Sequence, residues 1–366
     1  MRGPWQSPTF YAARPAVGAG GKEACFMSGS PKRGKKPAKR SALGRIARGL
    51  YIILFALSLV VVVSFVALKF YAPAPDLPNQ VDFPLGPDDT DAPEQPSASV
   101  DDPGTGNKLT LNRRKGVYTC LLLGVADQGG SDTIMLGVFD TVNKKASLLS
   151  VPRDTVVKYN GSYIKVNASY SYGGVEASRE CVSKMLAVPI DYYVKVNLRA
   201  FREIVDEIDG VYFDVPVDMN YDDPVGNLSI HIKAGYQLLD GKKAEGVVRC
   251  RNCYPNADIG RAATQRAFLT ALAKQTVTLS NVGKVTELIN ILNKYVESDM
   301  PLNTMVYFGT QAVGMDLDAD METAGLPGTW IYPYWELEDD KILELVNGLG
   351  IYEEPVPAKV LRIAHP

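Results

Sequence analysis

Residues 116–155 read GVYTCLLLGVADQGGSDTIMLGVFDTVNKKASLLSVPRDT, and this stretch decides the fold. It contains three apolar, β-rich segments at 117–125, 133–139 and 146–151, with short connections between them. Short connections usually join antiparallel neighbours, so the stretch predicts a β-meander. The sequence after it mixes helical and extended patterns without a strict βαβ alternation. We therefore expect an α/β fold, an α/β/α domain around one central mixed sheet.

The elements predicted beyond this stretch follow from the spacing of apolar residues and from turn and cap residues. The predicted strands are 192–196, 211–217 and 229–233. The predicted helices are about 175–187, 199–208, 261–276, 282–297 and 339–348.

The chain before the meander predicts a membrane anchor. Residues 50–68 read LYIILFALSLVVVVSFVAL, an uncharged run whose length matches a bilayer core at the rise of a helix. Residues 1–50 carry eleven basic side chains and one acidic side chain, and an excess of basic residues marks the cytoplasmic side. We therefore expect a single-pass protein of the cell membrane with a cytoplasmic N-terminus.

Residues 71–107 contain eight prolines and eight acidic residues and no basic residue. Such a segment has too few apolar side chains to offset its ordering entropy, which predicts an extended stalk. The expected organisation is a basic cytoplasmic tail at 1–49, a transmembrane helix at 50–68, an acidic Pro-rich extracellular stalk at 71–112 and an extracellular domain at 113–366.

The distribution of charge argues against a nucleic acid as the main partner. The chain holds 39 Lys and Arg against 41 Asp and Glu, and its basic excess lies in the first 50 residues. Nucleic-acid binders gather positive charge on the folded domain, and here the remainder of the chain is acidic on balance.

Asp127 and Asp132 lie on the Gly-rich connection between the first two predicted strands. Carboxylates on a tight loop are suitable ligands for Mg²⁺, which also bridges phosphate oxygens. The same residues are compatible with an ordinary hairpin turn, because Asp is a common turn former.

Arg153 and Asp154 follow the third predicted strand directly. Pro152 ends the strand's hydrogen-bond ladder and places both side chains at the edge of the sheet, where they can project into a cleft. The alternative is a surface ion pair, which contributes little to stability.

Three arginines and a helix start form the third candidate site. If residues 249–251 are extended, Arg249 and Arg251 point to the same face. Asp258 is a natural N-cap, and Arg261 and Gln265 share one face of the following helix. Guanidinium groups beside a helix N-terminus predict an anion site suited to phosphate oxygens.

Cys250 and Cys253 form a CxxC motif, and no second such motif or His pair accompanies it. A zinc site is therefore poorly supported. In an extracytoplasmic compartment the two residues form either a disulfide or a pair of free thiols.

Six motifs in order resemble the LytR-CpsA-Psr family of bacterial envelope proteins over about 119–275. They are LLLGVADQGGSDTIML, LLSVPRDT, KVNASYSYGG, IDYYVKVN, LLDGKKAEGVVRCR and DIGRAATQ. A later GLPG at 325–328 and the layout of tail, membrane helix and external domain are similar as well. The resemblance implies a Mg²⁺-dependent phosphotransferase of the cell envelope. Its substrates would be a teichoic acid, capsule or other wall glycopolymer on a polyprenyl-pyrophosphate carrier, and the C6 hydroxyl of N-acetylmuramic acid in peptidoglycan.

The resemblance also implies roles for individual residues. The expected catalytic residues are Arg153, Asp154, Arg249, Arg251 and Arg261. The expected substrate-binding residues are Gln265, Asp258, Lys165 and Asn167, and the expected metal ligands are Asp132 and Asp127. The carrier's hydrocarbon tail requires an apolar groove. A core position is the favoured interpretation of each candidate for its wall, because a domain of this size needs most of its apolar residues for packing. The candidates are Ile164, Val166, Tyr170, Tyr172, Tyr192, Val194 and Phe201.

Two positions depart from the family pattern. Where the family usually reads Gly-x-Asp in the first loop, this chain has Ala126 followed by Asp127, so either Asp127 serves after a one-residue shift or the metal has one ligand fewer. Thr264 stands where the family commonly has Arg. Two alternative functions stay open: a non-catalytic sensor of polyprenyl pyrophosphate that regulates envelope assembly, and a pyrophosphatase that releases polyprenyl phosphate.

Overall fold

The computed structural model describes residues 72–84, 108–125, 130–223, 228–276, 294–313 and 315–366. The chain divides into two compact units, 1–61 and 62–366, and every described residue lies in the second unit. The predicted tail, the predicted membrane helix and the middle of the predicted stalk lie outside the described residues. No helix in the described ranges is long and apolar enough to cross a membrane.

The strands and helices are numbered in chain order. The strands are β1 Gln80–Pro84, β2 Lys108–Asn112, β3 Val117–Val125, β4 Ser131–Asp140, β5 Lys145–Ser150, β6 Val156–Tyr159, β7 Ser162–Lys165, β8 Tyr192–Asn197, β9 Val211–Val215, β10 Met219–Asp223, β11 Leu228–Ile232, β12 Gly235–Leu239, β13 Val296–Ser298, β14 Met321–Gly325, β15 Gly328–Ile331 and β16 Tyr334–Leu337. The helices are α1 Val166–Leu186, α2 Leu198–Glu207, α3 Gly241–Arg249, α4 Asp258–Thr276, α5 Leu302–Ala312 and α6 Asp339–Gly348.

A central mixed sheet of six strands has the order β13-β8-β3-β4-β5-β14. The strands β3, β4 and β5 form the predicted antiparallel meander. β8 runs parallel to β3, and β14 runs parallel to β5. The predicted α/β fold with one central mixed sheet is confirmed.

Helices cover both faces of this sheet. Alternate residues of β3, such as Leu121, point to a core that also contains Val182 and Leu186 of α1. On the opposite face, the ring of Phe308 in α5 lies 4.9 Å from the ring of Tyr118. Because successive strand residues point to opposite faces, β3 contributes to both layers.

The helix α1 begins earlier than the sequence indicates. The pattern predicted a helix from about 175, and the structure places its start at Val166. Gly173 and Gly174 have non-helical dihedrals inside α1, and the φ of 65° at Gly174 kinks the helix there. Glycine accepts this left-handed conformation without a Cβ clash, so the pair interrupts the helical pattern without ending the helix.

A second hydrophobic cluster lies among α2, α3, α4 and the strand pairs β9–β12 and β10–β11. Phe268 of α4 is fully buried there, against the rings of Phe201 and Phe213. Asp240 caps α3 by accepting a hydrogen bond from the backbone N of Lys243 at 2.8 Å.

The prediction of an extended stalk up to residue 112 is wrong at both ends of that segment. The ends of the predicted stalk form the paired strands β1 and β2, because Phe83 and Leu111 find buried positions in the core that contains Leu121. Of the helix predicted over roughly 282–297, the structure describes only the end: residues 294–295 are helical, and Val296 begins β13, which pairs with β8. Residues 277–293 lie outside the described residues.

A buried ion pair joins the start of the domain to the start of β8. Arg113 donates to both carboxylate oxygens of Asp191, at 2.6 and 2.7 Å. Asp191 Oδ2 also accepts from the backbone N of Thr119 at 2.8 Å. Both charged side chains are buried, so each needs the other to offset its lost hydration.

Candidate active site

A cavity of about 420 Å³ lies between β3, β4 and β8 of the central sheet and helices α2, α3 and α4. One part of its lining is polar: Asp132, Thr133, Asn197, Arg249, Arg251, Asn252, Arg261 and Gln265. The rest is apolar: Leu122, Leu123, Val125, Met135, Val196, Leu198, Phe201, Tyr221, Leu228, Val248 and Leu269. The cavity therefore suits an amphipathic ligand with a charged head and an apolar chain.

The start of β4 supplies the acidic residue of the cavity. Asp132 follows the Gly-rich connection, of which 126–129 lie outside the described residues. An added Cβ at Gly130 would lie 2.5 Å from the backbone O of Asn167, so only glycine permits this close approach of the loop to α1. The approach places Asp132 beside Arg153, whose Nη1 lies 2.6 Å from Asp132 Oδ1.

Arg249 is the last residue of α3, which corrects the expectation that 249–251 is extended. Glu245, one turn earlier, pairs with Arg249 at 2.7 Å, a spacing of four residues that supports the last turn of the helix. Glu245 is buried and also accepts from Arg202 of α2 at 2.5 Å. Sequence reasoning missed Glu245, although its spacing of four residues from Arg249 was a signal for such a pair.

Arg261 lies deepest among the cavity's arginines. Its Nη2 lies 2.6 Å from Asp258 Oδ1 and donates to the backbone O of Asp132 at 3.2 Å. Burial lowers the pKa of Arg261, the charges of Asp258 and Asp132 oppose that change, and the nearby Arg153 and Arg251 lower the pKa further. Positive groups packed this closely favour an anion that neutralises them.

Asp258 is the first residue of α4, and its carboxylate contacts arginines. Besides Arg261, it lies 4.0 Å from Arg251 Nε. Asp258 does not line the cavity. It contacts the guanidinium groups of Arg251 and Arg261 from outside and can orient them.

The next turn of α4 contains Gln265 and the second departure from the family pattern, Thr264. Gln265 Nε2 donates to the backbone O of Val248 at 2.9 Å and links α4 to α3. Thr264 is buried, and its hydroxyl lies 2.6 Å from the hydroxyl of Tyr254. The side chain at this position therefore contacts Tyr254, which packs against the second hydrophobic cluster, and it does not line the cavity.

Cys250 and Cys253 form a disulfide, with their Cα atoms 5.6 Å apart. Arg251 and Asn252, which both line the cavity, lie inside the loop that this bond closes. The disulfide therefore restrains the backbone that presents Arg251.

The remaining predicted residues form a row that leads away from the cavity. Arg153 pairs with Asp132, and the neighbouring Asp154 is buried with its Oδ1 2.8 Å from Lys165 Nζ. The backbone N of Asn167 donates to the backbone O of Arg153 at 3.1 Å. These residues stand beside the cavity and do not line it, so the structure separates the predicted site into a cavity set and an adjacent row.

Asp132 is the one carboxylate that lines the cavity among the described residues. Its side chain is half exposed. Magnesium is commonly held by one or two carboxylates together with substrate phosphates, and Asp132 fits that arrangement. The described ranges contain no group of three or more His, Cys, Asp or Glu suited to a metal, so they offer no cage made of protein alone. Asp127 lies outside the described residues.

The apolar wall of the cavity differs from the candidates that the sequence offered. Only Phe201 of those seven residues lines it. Val166 is fully buried in the core of the central sheet, and Tyr192 packs on Phe308 of α5. Tyr221 and Leu228, which line the cavity instead, lie on the paired strands β10 and β11.

Residues 88–349 match the family model described as the LytR_cpsA_psr family. The chain belongs to this family. The match begins before and ends after the span of 119–275 that carries the sequence motifs, and it includes every described strand and helix from β2 to α6.

Curated relatives in the family have related names. The chain is 31% identical over 265 residues to the polyisoprenyl-teichoic acid–peptidoglycan teichoic acid transferase TagV of Bacillus subtilis strain 168, covering 68% of this chain and 63% of TagV. It is 30% identical over 222 residues to the regulatory protein MsrR of Staphylococcus aureus strain COL, covering 59% of this chain and 66% of MsrR. The chain thus spans slightly less than two thirds of the length of each.

Solved structures of the family share the fold. The crystal structure of Bacillus subtilis TagV has a TM-score of 0.58 and 27% identity, covering 64% of this chain and 96% of TagV in that crystal. The structure titled TagT bound to LI-WTA has a TM-score of 0.53 and 24% identity, covering 64% of this chain and 90% of that one.

Proposed function

We propose that this protein transfers a wall glycopolymer from a polyprenyl-pyrophosphate carrier to peptidoglycan and forms a phosphodiester. One observation carries the proposal: a cavity with a largely apolar lining that also includes Arg249, Arg251, Arg261 and Asp132. A pyrophosphate with a hydrocarbon chain matches both parts of that lining. The similarity to TagV, which is named for such a transfer, supports the same reaction class.

The arginines bind the pyrophosphate in this proposal. Forked guanidinium donors match phosphate oxygens, and each charge-assisted hydrogen bond contributes about 1.5–3 kcal/mol. Glu245 and Asp258 hold Arg249 and Arg261 in place before the ligand arrives, which reduces the ordering that binding requires.

The reaction is a displacement at the phosphorus nearest the sugar. The acceptor hydroxyl forms the new P–O bond, the bond to the polyprenyl phosphate breaks, and Asp154 takes the hydroxyl proton. Negative charge grows on the leaving polyprenyl phosphate, where Arg251 and Arg261 neutralise it. A Mg²⁺ ion held by Asp132 and Asp127 would add charge neutralisation at the phosphate oxygens.

We place this activity at the outer face of the cell membrane, with the helix predicted over 50–68 as the anchor. An anchored domain meets a carrier that is itself confined to the bilayer. The cavity's apolar wall then receives the part of the carrier nearest its pyrophosphate.

A second candidate is a regulator that binds the carrier without turnover. The similarity to MsrR, named a regulatory protein, favours it, as does Thr264, whose hydroxyl is engaged by Tyr254 where the family commonly has an arginine.

The test uses the full chain in nanodiscs with a polyprenyl-pyrophosphate-linked oligosaccharide, a peptidoglycan fragment and Mg²⁺, with products followed by mass spectrometry. We expect a phosphodiester conjugate that is lost in Arg251→Ala, retained in Arg199→Ala and abolished by a chelator. Carrier binding without any product identifies the regulator. Polyprenyl phosphate released without a conjugate identifies a pyrophosphatase.

A further inference from the structure

An exposed aromatic patch lies on the hairpin of β15 and β16. Trp330 is 50% exposed and Tyr332, at the tip, is 86% exposed, with Ile331 half exposed between them. Tyr163 of β7 adds a partly exposed ring beside the hairpin, and the hydroxyl of Tyr334 donates to its backbone O at 3.3 Å. Aromatic side chains gathered at a surface in this way mark a binding site more often than chance exposure does.

The hairpin is fastened to the row beside the cavity. The backbone N of Trp335 donates to the backbone O of Asp154 at 2.8 Å, and Thr155 forms a parallel β-bridge with Trp335. Leu337, at the end of β16, is buried in the core of the central sheet. The patch is therefore held by backbone contacts and packing, and it is a rigid surface.

Lys165 connects the patch to the predicted acceptor-activating residue. Its Nζ lies 5.8 Å from the ring centroid of Trp330 and 2.8 Å from Asp154 Oδ1. The row then runs through Arg153 to Asp132, which lines the cavity. The cavity and the aromatic patch thus lie at opposite ends of the same row of charged side chains.

We propose that this hairpin, with Trp330 and Tyr332 as its contact residues, binds the acceptor sugar chain; the inference rests on the proposed transfer reaction. The carrier would then enter from the cavity and the acceptor from the hairpin, so that the two substrates meet at Arg153 and Asp154. Neither substrate would have to pass through the binding surface of the other.

The chemistry of the patch matches a glycan. The C–H faces of a pyranose ring pack on aromatic faces, while its hydroxyl and amide groups bond to polar neighbours. Lys165 supplies a donor beside Trp330, and Lys158 lies 5.8 Å from the ring centroid of Tyr163, so the patch also suits an acceptor that carries carboxylates. Exposed Trp and Tyr side chains also occur where proteins contact a membrane interface, so the test below includes lipid vesicles as the competing partner.

The test measures binding and kinetics separately with the full chain. Calorimetry follows a lipid-free peptidoglycan tetrasaccharide binding to the wild type, to Trp330→Ala and to Tyr332→Ala. The matched control is Tyr236→Ala, because Tyr236 is also a highly exposed tyrosine, at 73%, and lies on β12, where it stacks on Tyr212 of β9. We expect about tenfold weaker acceptor binding and a raised acceptor KM in the two hairpin variants. Affinity for the carrier and the melting temperature should match the control.

Acceptor binding by the two hairpin variants that equals that of the control would overturn the inference. Loss of binding only to phosphatidylglycerol vesicles would also overturn it, because the patch would then be a membrane contact. If the wild type binds the tetrasaccharide through Trp330 but forms no conjugate, the proposed transfer reaction fails and the glycan site stands.

Discussion

Replacing Arg251 with alanine should separate ligand affinity from folding stability. The Arg251 side chain is 44% exposed, and its ion pair with Asp258 spans 4.0 Å. A pair this long and this exposed contributes little, so we expect the free energy of unfolding to change by no more than about 0.5 kcal/mol. A bound pyrophosphate would lose at least one charge-assisted hydrogen bond, worth about 1.5–3 kcal/mol. The expected loss of affinity is therefore roughly 10- to 150-fold.

Farnesyl pyrophosphate is a soluble probe with the same head group and a short chain. Its Kd is measured by calorimetry on the full chain in detergent, and farnesol, which lacks the head group, is measured in parallel. Arg199→Ala is the matched control, because Arg199 is 65% exposed, pairs with Glu203 at 3.9 Å and does not line the cavity. An Arg251→Ala affinity within twofold of the control, or an equal loss for farnesol, would refute the assignment of Arg251 to the head group.

Three further predictions concern stability and the cysteines. Asp191→Ala should lower the free energy of unfolding, measured in urea, by about 3–5 kcal/mol, because it leaves Arg113 buried without its partner. A double variant, Arg113→Met with Asp191→Leu, should recover much of this loss, because no charge then remains buried. Replacing Cys250 and Cys253 with serine should lower the free energy of unfolding by roughly 2 kcal/mol, because the loop between them is no longer closed. The same change should weaken the binding of farnesyl pyrophosphate. An unchanged Kd for this ligand would show that the loop keeps its shape without the disulfide. Burial raises the pKa of Cys181 to about 11 from its ordinary 9.0. In the folded protein Cys181 should therefore resist iodoacetamide at pH 8, as followed by mass spectrometry of the peptide that contains it. Stability should fall above pH 9, where this thiol ionises in the unfolded chain alone, and rapid labelling of Cys181 in the native protein at pH 8 would contradict its burial.

Local patterns predicted the part of the fold that is close in sequence. The segments 117–125, 133–139 and 146–151 are joined by short connections, so each strand's partner is its neighbour along the chain. The pairing of β14 with β5 left no such signal, because the two strands are far apart in sequence. The sequence assigned Phe83 and Leu111 to a stalk for a similar reason. Each is an isolated apolar residue in a polar, Pro-rich segment, and the surface that buries it comes from a distant part of the chain.

The charged end of the site was more predictable than its apolar wall. Arginines beside a helix start point to phosphate chemistry by residue type alone, and Arg251 and Arg261 do line one cavity. Tyr221 and Leu228 could not be singled out, because any apolar residue of a domain this size has an ordinary place in a core. The disulfide was one of two open possibilities, and the distance between Cys250 and Cys253 decided between them.

The parallel strand β14 has a consequence for the order in which the domain folds. Met321 pairs with Ala146, and Tyr352 near the C-terminus bridges to Arg113 near the start of the domain. Contacts between such distant residues raise the contact order, and domains of high contact order fold slowly. A nascent chain that ends before Met321 lacks an edge of its sheet and leaves β5 without a partner on that side. We therefore expect the sheet to be completed only after β14 and the segment that contains Tyr352 have been synthesised.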